Sequence, residues 1–124
     1  MALRQISIVS IPVVDQAAAR AFYTDVLGFQ VLRDEPMGPE QRWLQLAPPG
    51  SVASITLVTW FTQMPAGIIQ GLVLTSDDID ADHAALTSRG LAISELADAP
   101  WGRYATFNDV DGNGWVLVQP ATGM

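Results

Sequence analysis

Residues 5–12 concentrate β-branched positions in a run too short for a core helix, which predicts a strand. Asp15 follows as a candidate helix N-cap. Ala19, Phe22, Tyr23 and Val26 then recur at helical spacing until Gly28 supplies a stop. Residues 29–33 predict the next strand. Pro36, Gly38 and Pro39 mark residues 34–40 as a loop, and residues 42–47 and 54–59 follow as strands joined by the Pro48-Pro49-Gly50 turn. The first half of the chain therefore reads β-α-β-β-β.

The same order then returns. Residues 72–75 are strand-like, and Asp77-Asp78 precede a helix carrying Ile79, His83 and Leu86 on one stripe and ended by Gly90. Residues 92–96 and 104–108 predict strands on either side of a loop at 98–102. Residues 109–114 form a dense turn signal that leads into a last strand at 115–119. Asp15 to Gly28 and Asp77 to Gly90 span the same thirteen positions, so the chain is read as two copies of one module. The modules are residues 1–60 and 70–120, with a mixed apolar linker at 61–69, inside one domain covering residues 1–124.

Composition narrows the chemistry. At 124 residues and 49% hydrophobic content there is material for one buried core but not for two independent domains. No apolar run approaches the roughly 20 residues of a spanning helix, and the first residues lack a long apolar stretch with a small-residue cleavage site; a cytoplasmic protein is expected, with no membrane partner. The absence of cysteine removes disulfides, thiolate ligands and cysteine nucleophiles. All six basic residues are arginines (Arg4, Arg20, Arg33, Arg42, Arg89, Arg103), which excludes a Schiff-base or P-loop lysine. A net charge of −7 argues against a nucleic-acid partner and favours a cationic or neutral ligand.

Three segments carry a family resemblance: residues 21–29 (Ala-Phe-Tyr-Thr-Asp-Val-Leu-Gly-Phe), Asp77-Asp78-Ile79-Asp80, and residues 108–115 with their Asp-Val-Asp-Gly-Asn-Gly-Trp ending. With the paired β-α-β-β-β order they resemble the vicinal oxygen chelate superfamily of glyoxalases, extradiol dioxygenases, fosfomycin-resistance enzymes and bleomycin-resistance proteins. Val110 stands where that family usually has proline, and Pro100-Trp101-Gly102-Arg103 is similar to a segment of its bleomycin-resistance members. The resemblance implies an α+β fold in which two modules form a curled mixed sheet around a U-shaped cavity, and a homodimer that completes the cavity across its interface.

Enzymes of that superfamily hold a metal through one residue on each of the first, fourth, fifth and eighth strands. The resemblance carries those positions onto Ile8, Thr56, Gly71 and Val116, none of which is an imidazole or carboxylate donor. No metal and no cofactor are therefore expected, and no catalytic residue is assigned. His83, the sole histidine, lies on the Ile79/Leu86 stripe and reads as a boundary or core residue. The turn at 109–114 matches the first half of a calcium loop, but its twelfth position is Pro120 where glutamate is required, so it reads as a hairpin. Asp77, Asp78, Asp80 and Asp82 suit a helix N-terminus. Glu95 and Asp98 are candidate bases at the cavity mouth and, more simply, surface residues.

Aromatic side chains remain as the best candidates for binding. Trp43 and Trp101 suit stacking on planar or cationic groups. Trp60 is read as a weaker pocket candidate that alternatively packs the linker or a dimer contact, and Trp115 as structural because it neighbours Val116 and points to the other sheet face. Gln45, Thr56, Arg103 and Tyr104 supply polar groups, with Ile8 and Val116 as apolar walls. The expected function is a metal-independent binding protein that sequesters an antibiotic or other natural product, planar and neutral or cationic, in an aromatic-lined cavity. The alternatives are an enzyme with metal-free chemistry using Tyr104 or Glu95, and a divergent member with no small-molecule role.

Overall fold

The computed structural model describes residues 1–122. In the first module β1 (Ile8–Pro12), β2 (Gln30–Pro36), β3 (Arg42–Ala47) and β4 (Ser54–Val58) form a sheet ordered β1-β4-β3-β2. The second module repeats it with β5 (Leu72–Thr75), β6 (Ala97–Ala99), β7 (Gly102–Asn108) and β8 (Gly114–Pro120), ordered β5-β8-β7-β6. In each sheet only the first strand runs parallel to its neighbour. That parallel pairing needs the crossover supplied by α1 (Gln16–Ala21) and α2 (Ile79–Ser88).

The helix repeat is offset by one residue from the sequence reading. Asp15 caps α1, its Oδ1 accepting the amides of Ala17 and Ala18, whereas Asp78 rather than Asp77 caps α2 through the amide of Ala81. Both helices stop at a glycine of positive φ, Gly28 at 75° and Gly90 at 88°. One more residue therefore lies between cap and stop in the first module. It is absorbed by a wide turn: residues Phe22–Val26 wind as a π-helix, with Leu27 N donating to Phe22 O five residues back.

Two strand boundaries also differ. The expected loop at 34–40 begins only after Pro36, because Asp34 is held by Arg20 and Arg42 and because β2 is an edge strand where proline leaves no ladder donor missing. The strand expected at 92–96 is reduced to a single bridge between Ile93 and Phe107, and β6 instead begins one residue ahead of the expected loop and runs into it. Ser94 explains the break: its amide donates to Thr106 O, but the return bond from Thr106 N goes to Ser94 Oγ rather than to a carbonyl.

Strand alternation sends one face of each sheet toward the helices. Ile11, Leu44, Leu46, Ile55 and Leu57 of the first sheet join Ala19 and Tyr23, while Phe107, Trp115 and Leu117 of the second join Ile79 and Leu86, all in one continuous core. The modules meet through Tyr23 and Phe29, whose rings lie 6.0 and 6.1 Å from Trp115. Tyr23 Oη donates to Asp109 Oδ2 at 2.6 Å and accepts from Trp115 Nε1 at 3.0 Å. The other Asp109 oxygen accepts the amides of Asp111 and Asn113, and Asn113 Nδ2 reaches both Asp109 Oδ2 and Pro12 O. The turn that mimics a calcium loop is thus a hairpin organised around its own aspartate and tied to α1. The helix-side faces are largely taken up by this core, which leaves the opposite faces of the two sheets open.

Candidate functional site

On the first sheet the opposite face carries every second residue. Ser10, Thr56, Gln45 and Arg33 lie in one row across β1, β4, β3 and β2, with Trp43 beside Glu35 in the next. Ser10 Oγ and Thr56 Oγ1 are 3.2 Å apart, and Thr56 lies buried at the floor. Trp43 Nε1 donates to Gln45 Oε1 at 3.1 Å, and Gln45 Nε2 donates to Ser54 Oγ at 2.8 Å. An indole N–H can only donate, so it fixes which way the amide points. Gln45 keeps one further donor and one acceptor lone pair for a ligand. Ile8 stands on the same face at its outer strand, and Arg33 and Glu35 neutralise each other at 2.6 Å.

The second sheet presents Val73, Val116 and Thr106 in one row and Thr75, Val118 and Tyr104 in the next. Trp101 folds back onto Tyr104, ring centroids 4.9 Å apart. Gly102 permits the tight β6–β7 turn: its φ is +148°, and a Cβ there would lie 2.4 Å from Gln119 O. Arg103 alternates with Tyr104 and so points the other way. It pairs with Asp80 at 2.5 Å on α2 and with Asp98 at 3.1 Å, which removes it from the open face and occupies Asp98 as well. Trp60 belongs to neither row; it is half-buried after β4, 6.1 Å from the ring of Phe61.

Sequence reading missed several polar residues of these faces. Ser10 and Ser54 follow from Thr56 by pairing and alternation, and Thr106 and Asn108 follow from Tyr104 by alternation alone. Gln70 had no such signal. Its Nε2 donates to Gly67 O and Gly112 O, and its Oε1 lies over Gly114, where a Cβ would approach to 2.1 Å. Gln70, Thr106, Asn108 and Val116 line a cleft of about 530 Å³.

The more apolar cleft, about 580 Å³, lies elsewhere: between the β3–β4 turn and β5, against Phe29, Leu46, Leu72 and Trp115. Neither cleft gathers Trp43 with Trp101. Within one chain the expected site residues stand on two separate open faces.

The positions that hold a metal in enzymatic relatives do not fit one here. They offer a single hydroxyl, Thr56, which is already engaged with Ser10, a glycine of positive φ, Gly71, and two aliphatic side chains, Ile8 and Val116. Among the described residues no group of three or more histidine or acidic side chains is placed to hold an ion. His83 is turned to Ser94 O at 2.7 Å, pinning the segment before β6. Two groups have displaced acidity, neither on the open faces. Burial first, and then the Asp109 carboxylate, push the Tyr23 hydroxyl far above the usual tyrosine range. Burial also raises Asp111, against the amide of Val14 that lowers it.

The Glyoxalase/Bleomycin resistance protein/Dioxygenase superfamily model matches residues 5–117. The chain belongs to that superfamily. It is 34% identical to YetH of Bacillus subtilis (strain 168), over 94% of this chain and 99% of that one. Its fold superposes with a TM-score of 0.92 on the crystal structure of TnmS3, an antibiotic binding protein from Streptomyces sp. CB03234, at 47% identity and covering 98% and 99% of the two chains. A superfamily structure from Sphaerobacter thermophilus DSM 20745 gives 0.87 at 31% identity, over 96% and 99%. No helix among the described residues is long and apolar enough to cross a membrane.

Proposed function

We propose that this protein is a metal-independent, cytoplasmic small-molecule binder that sequesters a planar antibiotic or related natural product. The carrying observation is the chain of Trp43, Gln45 and Ser54 beside the Thr56 hydroxyl: an indole and oriented neutral polar groups surround one of the positions at which metal-dependent relatives need an ion ligand. The 47% identity to TnmS3, an antibiotic binding protein, supports the same reading.

Two copies complete the site in this reading. The rows bearing Trp43 and Tyr104 lie on separate faces of one chain, and β1 and β5 are both sheet-edge strands. Exposed apolar residues lie on these strands or just ahead of them: Leu3 and Ile6 before β1, Ile8 and Val9 on it, and Val73 on β5. An apolar edge left open in this way favours pairing with a second chain. A homodimer sets the first sheet of one protomer opposite the second sheet of its partner, with Trp43 and the Trp101–Tyr104 pair on either side of the ligand.

The test combines sedimentation equilibrium with calorimetric titration of planar aromatic natural products into wild type, Trp43→Ala and Trp101→Ala. A dimer is expected, and loss of a stacked indole weakens binding by at least about tenfold in a chain that stays folded. Unchanged affinity in both variants would remove the aromatic pocket. A monomer that still binds would remove the shared one.

A further inference from the structure

We infer, resting on the pocket reading above, that the ligand these faces select is neutral, although the protein carries a net charge of −7. Most of the negative charge is either held away from the open faces or already paired. Asp34 is held by Arg20 and Arg42, Asp98 by Arg103, and Asp15 and Asp78 are spent on helix caps. Asp109 borders the cleft beside Thr106 and Asn108, but its carboxylate is taken up by Tyr23, Asp111 and Asn113. On the first face the one carboxylate, Glu35, is neutralised by Arg33. Beside the second, Glu95 sits in the exposed segment before β6, where water screens it.

What the faces offer instead are neutral groups that both donate and accept: Ser10, Gln45, Thr56, Tyr104, Thr106 and Asn108. A cation enclosed between them would lose its hydration with no carboxylate in return. The indoles offer only the smaller attraction of a ring face for a cation. A planar molecule with phenol, carbonyl or amide groups meets no such loss, and its polar edges match Gln45, whose amide orientation is already fixed. Gln45 is thus the specificity-determining residue of the first face.

Acridone and proflavine are planar tricyclic probes of similar size, the first neutral and the second cationic at neutral pH. Each is titrated into the full chain at about 0.15 M salt, where long-range attraction to the acidic protein is largely screened, and tryptophan quenching is followed. Acridone is expected to bind wild type at least about tenfold tighter. Gln45→Glu, which still accepts from Trp43 and can accept from the Ser54 hydroxyl, is expected to reverse the preference; Asn108→Asp tests the second face in the same way. Equal or tighter proflavine binding to wild type, or a preference unmoved by both substitutions, overturns the inference while leaving the pocket standing. Binding of neither probe overturns the inference together with the pocket.

Discussion

Replacing Tyr23 by phenylalanine removes one oxygen atom from the centre of the module junction. The ring contacts with Phe22, Phe29 and Trp115, at 5.3, 5.4 and 6.0 Å, remain, so no cavity term enters. Two hydrogen bonds are lost. Asp109 Oδ2 keeps only Asn113 Nδ2, and Trp115 Nε1, on a residue that is 4% exposed, loses its acceptor. A hydrogen bond to a charged group contributes about 1.5–3 kcal/mol, and an orphaned buried donor costs about 1–3 kcal/mol. The two overlap, so a loss of about 2–4 kcal/mol is expected, a large part of the roughly 5–15 kcal/mol that keeps a domain folded. Urea unfolding followed by circular dichroism measures it, with an unchanged m-value showing that the native and unfolded states are otherwise the same. A loss under about 0.5 kcal/mol would refute the lock. An alkaline arm provides a second check. Because the folded state raises the Tyr23 pKa, its stabilisation is fully present below the ordinary tyrosine value of 10.0 and is lost as pH rises above it. Wild type should lose stability there faster than Tyr23→Phe.

Two further substitutions separate structure from site. Asp111 has one carboxylate oxygen, Oδ2, buried without a hydrogen-bond partner, and burial raises its pKa. Its contribution is favourable only below the unfolded carboxyl value and is lost as pH rises through the folded one. Asp111→Asn should therefore be the more stable chain at pH 7 in thermal melts, with the gap closing as pH falls toward the ordinary aspartate value of 3.8; a less stable variant at pH 7 would contradict this. His83→Gln can still donate to Ser94 O, so stability should fall by no more than about 1 kcal/mol and ligand titrations should be unchanged. Lost binding in a folded variant would place His83 in the site.

What could be read from the sequence follows from where local patterns dominate. Strands β3 and β5 coincide with their predicted ranges because each is bounded by turn residues or glycine and carries β-favouring residues throughout. The end of β2 was hidden because its pairing depends on Asp34 meeting two arginines from other elements, and the end of the expected strand at 92–96 because one serine side chain replaces a carbonyl. On the candidate faces Thr56 came from the family resemblance, while period-two alternation sufficed to put Val116 opposite Trp115. Applied consistently it also excludes Arg103 once Tyr104 is placed on the open side, and it adds Ser10 and Thr106. Gln70 was beyond reach, since its placement comes from the glycines at 67, 112 and 114, which let a side chain lie against the backbone of a distant hairpin.

The one-residue difference between the helices bears on function as well as on fold. Both modules have the same strand order and both helices end at a glycine, so identical helices would have kept the copies equivalent. The π-turn takes up the extra residue just where Phe22 and Tyr23 leave α1, and Tyr23 becomes the hydroxyl shared by Asp109 and Trp115 across the junction. That junction commits the helix-side face of each sheet to the interior of the chain. The opposite faces, with Trp43, the tilted Trp101–Tyr104 pair and their neutral hydrogen-bonding rows, are left outside it. The proposed sharing of a ligand between two protomers rests on this same commitment, because no cleft of one chain brings Trp43 and Trp101 together.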